Sequence, residues 1–165
     1  MKPLTDAEIR SSFVNASRGE IDRMPLPGLH EVIWNEREYL GWRDPGSPQR
    51  GYLVHWSGDT PIGVFLRASD PSLRPGISAM CVLCRTPQPS AQVTLFSAPR
   101  AGEAGRNGNS VGTYICDDLA CSFMIRILPA PHPMQPDPAE VLEKRVSGLL
   151  ERVSSFTTRV TEKTA

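Results

Sequence analysis

Hydrophobic positions near the start of the chain recur at helical spacing. Thr5 and Glu8 form a capping box, Ile9 and Phe13 follow on one face, and Gly19 closes the pattern after "NASR". This predicts one short amphipathic helix of about four turns at most. "MPLPGL" breaks it, and "HEVIWNEREYLGW" carries an ambiguous pattern that admits a further helical piece. "WRDPGSPQRG", with two prolines and two glycines, reads as a turn-rich boundary. Beyond it the period changes. "GYLVHW" and "PIGVFLRA" alternate or run apolar on either side of Ser57-Gly58-Asp59-Thr60, which predicts a β-hairpin.

"SDPSLRPG" reads as a loop, "AQVTLFSA" as a strand, "PRAGEAGRNGNS" as a long glycine-rich loop and "VGTYI" as a short strand. "DDLACSFMIRIL" suits a short helix with two aspartates at its positive end. "PAPHPMQPDP" holds five prolines in ten residues and reads as a linker. It leads into a helix with Asp137 as N-cap, Pro138 at the first helical position and Glu140 closing a second capping box. Val146, Leu149, Leu150, Val153 and Val160 line one face of that helix, which is expected to pack on its own domain or to meet a partner.

The fold class implied is α+β. A helical segment over residues 1–45 precedes a β-rich domain over 46–130, and residues 131–165 form a proline-rich linker and an amphipathic helix.

Four cysteines fall in two close pairs, Cys81-Val-Leu-Cys84 and Cys116-Asp-Asp-Leu-Ala-Cys121. Zinc takes four soft ligands at tetrahedral corners, and two close pairs on different elements supply them. A knuckle, then a hairpin, then a helix carrying the last ligand is a treble-clef arrangement. The second pair has four intervening residues where zinc ribbons more often have two. A redox dithiol, an iron–sulfur cluster and buried free thiols are the alternatives. Four sulfurs leave no open coordination position, which argues against catalytic zinc.

Composition narrows the picture. In 165 residues, eighteen basic side chains balance eighteen acidic ones, so overall charge does not advertise a nucleic-acid partner. Sixteen prolines and a mean hydropathy of −0.27 imply much irregular chain around a modest core. The N-terminus lacks the apolar run of a signal peptide, and no stretch approaches the roughly 20 apolar residues of a membrane span. A cytoplasmic protein with reduced thiols is expected, with no membrane partner.

The remaining chemistry is sparse. His30, His55 and His132 read as surface residues, and no serine or carboxylate pair recommends a catalytic role, so neither an enzyme nor a small-molecule substrate is expected. "PRAGEAGRNGNSVG" lacks the lysine and hydroxyl of a phosphate-binding P-loop and leads into a strand. Arg100 and Arg106 within it are candidates for RNA phosphate or an acidic protein face. Trp34, Trp42 and Trp56 read as packing residues.

"YLGWRDPGSP", the "CVLC" knuckle and "PRAGEAGRNGNSVGTYICDDLACS" together resemble the elongation factor G-binding, fusidic-acid-resistance family, as found in small actinobacterial proteins with a treble-clef zinc finger. The similarity runs from "MKPLTDAEIRSSFVNASRGE" to about residue 128 and loosely into the last helix. The resemblance implies a structural Zn²⁺ held by Cys81, Cys84, Cys116 and Cys121. It also implies a non-enzymatic protein that binds elongation factor G and promotes its release from the ribosome. The partner surface would lie on the exposed side of residues 100–126, with Arg100, Arg106, Asp117 and Arg126 as contacts. A ribosome- or rRNA-binding role is the alternative. The resistance proteins have a full helical bundle before the zinc domain, where this chain has about 45 residues before its hairpin.

Overall fold

Tyr52, Leu53 and Val54 are apolar at consecutive positions, as are Val64, Phe65 and Leu66, because their sheet is covered on both faces. The computed structural model of the chain describes residues 1–69, 76–128, 130, 132–134 and 136–162. Most of the predicted loop "SDPSLRPG" lies outside them. Seven strands are present among the described residues: β1 (Leu40–Asp44), β2 (Ser47–Ser57), β3 (Thr60–Ala68), β4 (Ser78–Met80), β5 (Pro87–Pro89), β6 (Val93–Pro99) and β7 (Ser110–Cys116). Five form an antiparallel sheet in the order β1-β2-β3-β6-β7, and β4 pairs with β5 in a small separate ribbon.

Alternation along the strands assigns the two faces. Leu40, Trp42, Tyr52, Val54 and Phe65 point toward the N-terminal layer, where Leu4, Met24 and Ile9 of α1 (Asp6–Ser12) cover them. Trp42 stacks on Tyr52 at 5.0 Å, with Phe13 edge-on to both, so this tryptophan packs as expected. Gly63 permits the close approach of α1: a Cβ there would lie 2.5 Å from Ser12 Oγ.

The opposite face presents Leu53, Val64, Leu66, Phe96 and Ala98. A 24-residue C-terminal helix, α5 (Pro138–Thr161), covers it with Leu149, Val153, Phe156 and Val160. Asp137 caps α5 by accepting from the Ala139 amide at 2.7 Å. The reading of α5 as packed on its own domain therefore holds. Leu150 departs from it and remains 42% exposed, while Phe156 takes a core position.

Several elements differ from expectation. The first helical segment is two helices, because the chain is extended at Phe13 where it bridges to Gly63, and Ser17 with Glu20 forms a second capping box for α2 (Arg18–Asp22). The ambiguous "HEVIWNEREYLGW" holds two single 3₁₀ turns, Leu29–Glu31 and Trp34–Glu36, followed by β1. Of "WRDPGSPQRG" only Pro45 and Gly46 lie outside β1 and β2, and Asp44 Oδ1 accepts from the amides of Gly46 and Ser47 in that tight turn. The glycine-rich loop contains α3 (Gly102–Arg106), which folds back so tightly that only a glycine at 105 clears the Arg100 carbonyl. His55, read as a surface residue, is buried, and its Nε2 lies 2.8 Å from Thr157 Oγ1 on α5. Among the described residues no helix is long and apolar enough to cross a membrane.

Candidate metal centre

Strand β4 delivers Cys81 to the tip of the β4–β5 ribbon, where the chain reverses through Cys84. The turn closes with the Arg85 amide donating to the Cys81 carbonyl at 2.9 Å, and Arg85 takes a left-handed φ of 58°. The second pair sits across the end of the main sheet. Cys116 is the last residue of β7, and Cys121 opens α4 (Cys121–Met124), a single turn. Between them Leu119, at φ 59°, completes a tight turn whose amide donates to the Cys116 carbonyl. The predicted helix thus begins at Cys121, and Asp118 accepts from the Ala120 amide in the preceding turn. The Val82 amide donates to the Tyr114 carbonyl at 2.8 Å and so docks the knuckle on β7.

All four cysteines are buried, and their Sγ atoms lie within 4.8 Å of one another. Cys81 and Cys121 approach to 3.5 Å, and Cys84 and Cys116 to 3.6 Å. Four sulfurs about 2.3 Å from a tetrahedral zinc stand about 3.8 Å apart, so the cluster has the size the ion requires. Disulfides are excluded by the same distances, which exceed a covalent S–S bond by well over an ångström. The donor set is all sulfur and closed to solvent, which fits structural Zn²⁺.

Neighbouring groups favour thiolates. Gln88 is buried, and its Nε2 donates to Cys116 Sγ at 3.2 Å and reaches Cys84 Sγ at 3.9 Å. The Cys84 amide donates to Cys81 Sγ at 3.4 Å. Hydrogen bonding from Cys116 and Cys121 draws Cys84 far below the usual thiol range, whereas bonding to Cys116 and Cys81 pushes Cys121 well up. Four thiols this close share their protons unevenly. Zinc binding displaces those protons and makes all four thiolates. Tyr39 supports the second pair: its hydroxyl donates to the Leu119 carbonyl at 2.8 Å and accepts from the Cys121 amide at 3.4 Å. Burial, followed by the nearby charge of Cys121, raises its pKa well above the ordinary tyrosine value, so it remains a phenol.

The expected contact residues fall in different settings. Asp117 is engaged internally, accepting from Arg43 Nη1 and Thr94 Oγ1, both at 2.6 Å. Arg126 forms a two-bond pair with Glu38, at 2.9 and 3.0 Å, and Glu38 is nearly inaccessible. That pair raises the Arg126 pKa further and ties the turn after α4 to the residues just before β1. Arg100 Nη1 donates to the Arg159 carbonyl at 2.9 Å and so anchors the glycine-rich segment to α5. Arg106 stands exposed at the end of α3. Gln88, Tyr39 and Glu38 escaped the sequence reading, since the shortest bond of each to the centre or its supports reaches a residue 28 or more positions away. The proline pair flanking Gln88 was the available sign of a constrained turn.

A search of curated protein sequences finds no match. Among solved structures, that of the fusidic acid resistance protein FusC shares the fold with a TM-score of 0.57 at 17% identity, covering 87% of this chain and 54% of FusC. The chain therefore spans about half the length of that protein. The family model of the FBP C-terminal treble-clef zinc-finger matches residues 8–160, which include every cysteine, the whole sheet and most of both layers covering it. With its sulfur cluster at a knuckle and a strand-to-helix turn, the chain belongs to this treble-clef zinc-finger family and binds a structural zinc ion.

Proposed function

We propose that the protein is a non-enzymatic accessory factor of translation that binds elongation factor G and promotes its release from the ribosome. The family match over residues 8–160 carries this reading, and the fold shared with a fusidic acid resistance protein supports it. The closed four-sulfur centre offers no site for a substrate, which favours a binding role over catalysis. On this reading the protein acts in the cytoplasm, together with the factor.

The contact surface is assigned to the exposed side of residues 100–126. Arg106, Tyr114 and Phe123 are exposed there, and a charged rim with aromatic anchors suits a protein interface. The internal bonds of Arg100, Asp117 and Arg126 give those three a role in shaping this surface.

Affinity capture of the tagged chain from bacterial lysate, with and without ribonuclease, tests the proposal. Elongation factor G is expected in both eluates. Recovery of ribosomal RNA and ribosomal proteins alone, lost on ribonuclease treatment, would replace the factor by the ribosome as the partner.

A further inference from the structure

A cluster of basic side chains lies apart from the glycine-rich loop. Beside the zinc knuckle, an open cleft of about 370 Å³ runs between the turn after Cys84 and α5. Arg85, Lys144, Arg145 and Arg152 line it, with Pro87 and Val141 as apolar walls. Among the described residues, Lys2, Arg10, Arg43, Arg67 and Arg126 have a carboxylate within 4.0 Å, whereas cations such as Arg18, Arg50 and Arg106 stand singly without one; the cleft differs in gathering four cations in one place. Among the described residues, no ion pair involves any of the four cleft cations.

Two of the four are held in position by neutral groups. Arg145 Nη1 donates to the carbonyls of Ile127 and Ile125, and Arg152 Nε donates to the Leu83 carbonyl at 2.5 Å. Backbone carbonyls fix these guanidinium groups without cancelling their charge. Gly148 helps, because a Cβ there would come within 2.8 Å of the Arg152 guanidinium. Arg85 and Lys144 are exposed at the rim.

The zinc site accounts for part of this charge. A zinc ion with four thiolates carries two net negative charges, so about two of the four cations remain uncompensated. A pre-positioned, unpaired guanidinium cluster is a binding site for oxyanions. The lining contains no aromatic or large aliphatic side chain, so it offers neither the apolar anchor of a protein hot spot nor a platform for unpaired bases. Phosphates of a duplex backbone need neither.

We propose that this cleft binds the phosphate backbone of double-helical RNA. The choice of RNA rests on the translation reading above; the phosphate chemistry rests on the cleft.

Fluorescence anisotropy of the zinc-loaded chain with a labelled RNA duplex of about 16 base pairs tests it, over a salt titration and without elongation factor G. Arg85→Ala and Lys144→Ala are each expected to weaken binding several-fold and to reduce the slope of log K against log salt by about one. Arg106→Ala is expected to leave both unchanged. Among the described residues the side chains of Arg85 and Lys144 make no hydrogen bond or ion pair, and zinc content with circular dichroism confirms that the variants fold. Absence of binding at low salt, or binding indifferent to Arg85 and Lys144, overturns the proposal. So does equal competition by poly-glutamate at matched charge, which would mark an acidic protein segment as the ligand. Capture of elongation factor G alongside a failed RNA titration would sink this inference alone.

Discussion

Gln88→Leu removes a donor from the metal centre while nearly preserving volume. Gln88 is buried on β5, and its backbone pairs with Ala79, so the ribbon does not depend on the side-chain amide. That amide makes one well-formed bond to sulfur, 3.2 Å to Cys116, and its 3.9 Å approach to Cys84 adds little. A hydrogen bond to a charged acceptor contributes roughly 1.5–3 kcal/mol. At about 1.4 kcal/mol per decade, zinc affinity should fall roughly 10- to 100-fold, the range found when outer-shell partners of metal ligands are removed. Competition against a chromophoric chelator at neutral pH measures the change, with far-ultraviolet circular dichroism reporting the fold. A folded variant whose zinc affinity stays within about twofold of the parent would refute the reasoning that this amide stabilises thiolate.

Serine at Cys84 or Cys116 should abolish folding, because zinc binding contributes roughly 10–16 kcal/mol while whole domains are stable by about 5–15 kcal/mol. A cooperatively unfolding, zinc-free variant would contradict this. His55 supplies a pH test: burial lowers its pKa from 6.5, so the unfolded chain takes up the proton before the folded one does. Stability is then complete above pH 6.5 and declines as the pH falls toward the folded value. Urea midpoints should show this decline in the parent and a flatter profile in His55→Gln; parallel profiles would exclude the histidine. In Gly41→Ala the new methyl would lie 2.6 Å from the Leu119 carbonyl oxygen, in the turn joining the second cysteine pair. A loss of about 1–3 kcal/mol is expected in zinc-saturated chemical denaturation, and an unmoved midpoint would show that the turn yields freely.

Features set by near neighbours were legible in the sequence. The Thr5–Glu8 box, the turn at Gly58, the cysteine pairs and the Asp137 cap all formed as their local chemistry dictates. Features set by distant partners were not. His55 looks polar and solvated until Thr157, 102 residues away, comes to meet it. β1 is five residues long, and "LGWRD" acquires strand character only through pairing with β2. β4 and β5 are three residues each, too short for any periodicity, and β5 contains two prolines. The helix α3 hid among glycines because its fold depends on close contact with the Arg100 backbone, which no hydrophobic pattern records. Arg126 and Asp117 looked like free surface charge for the same reason: their partners, Glu38 and Arg43, lie 88 and 74 positions away.

The order of the elements along the chain also fixes an order of events during synthesis. All four sulfur ligands have been made once Cys121 is added, but the helix that seals their face of the sheet is finished only at Thr161. Until α5 docks, Leu53, Val64 and Phe96 lack the cover they have in the finished fold. Because every ligand lies upstream of α5, the ligand set is complete in the chain before its cover is, and docking of α5 is the step that closes the centre.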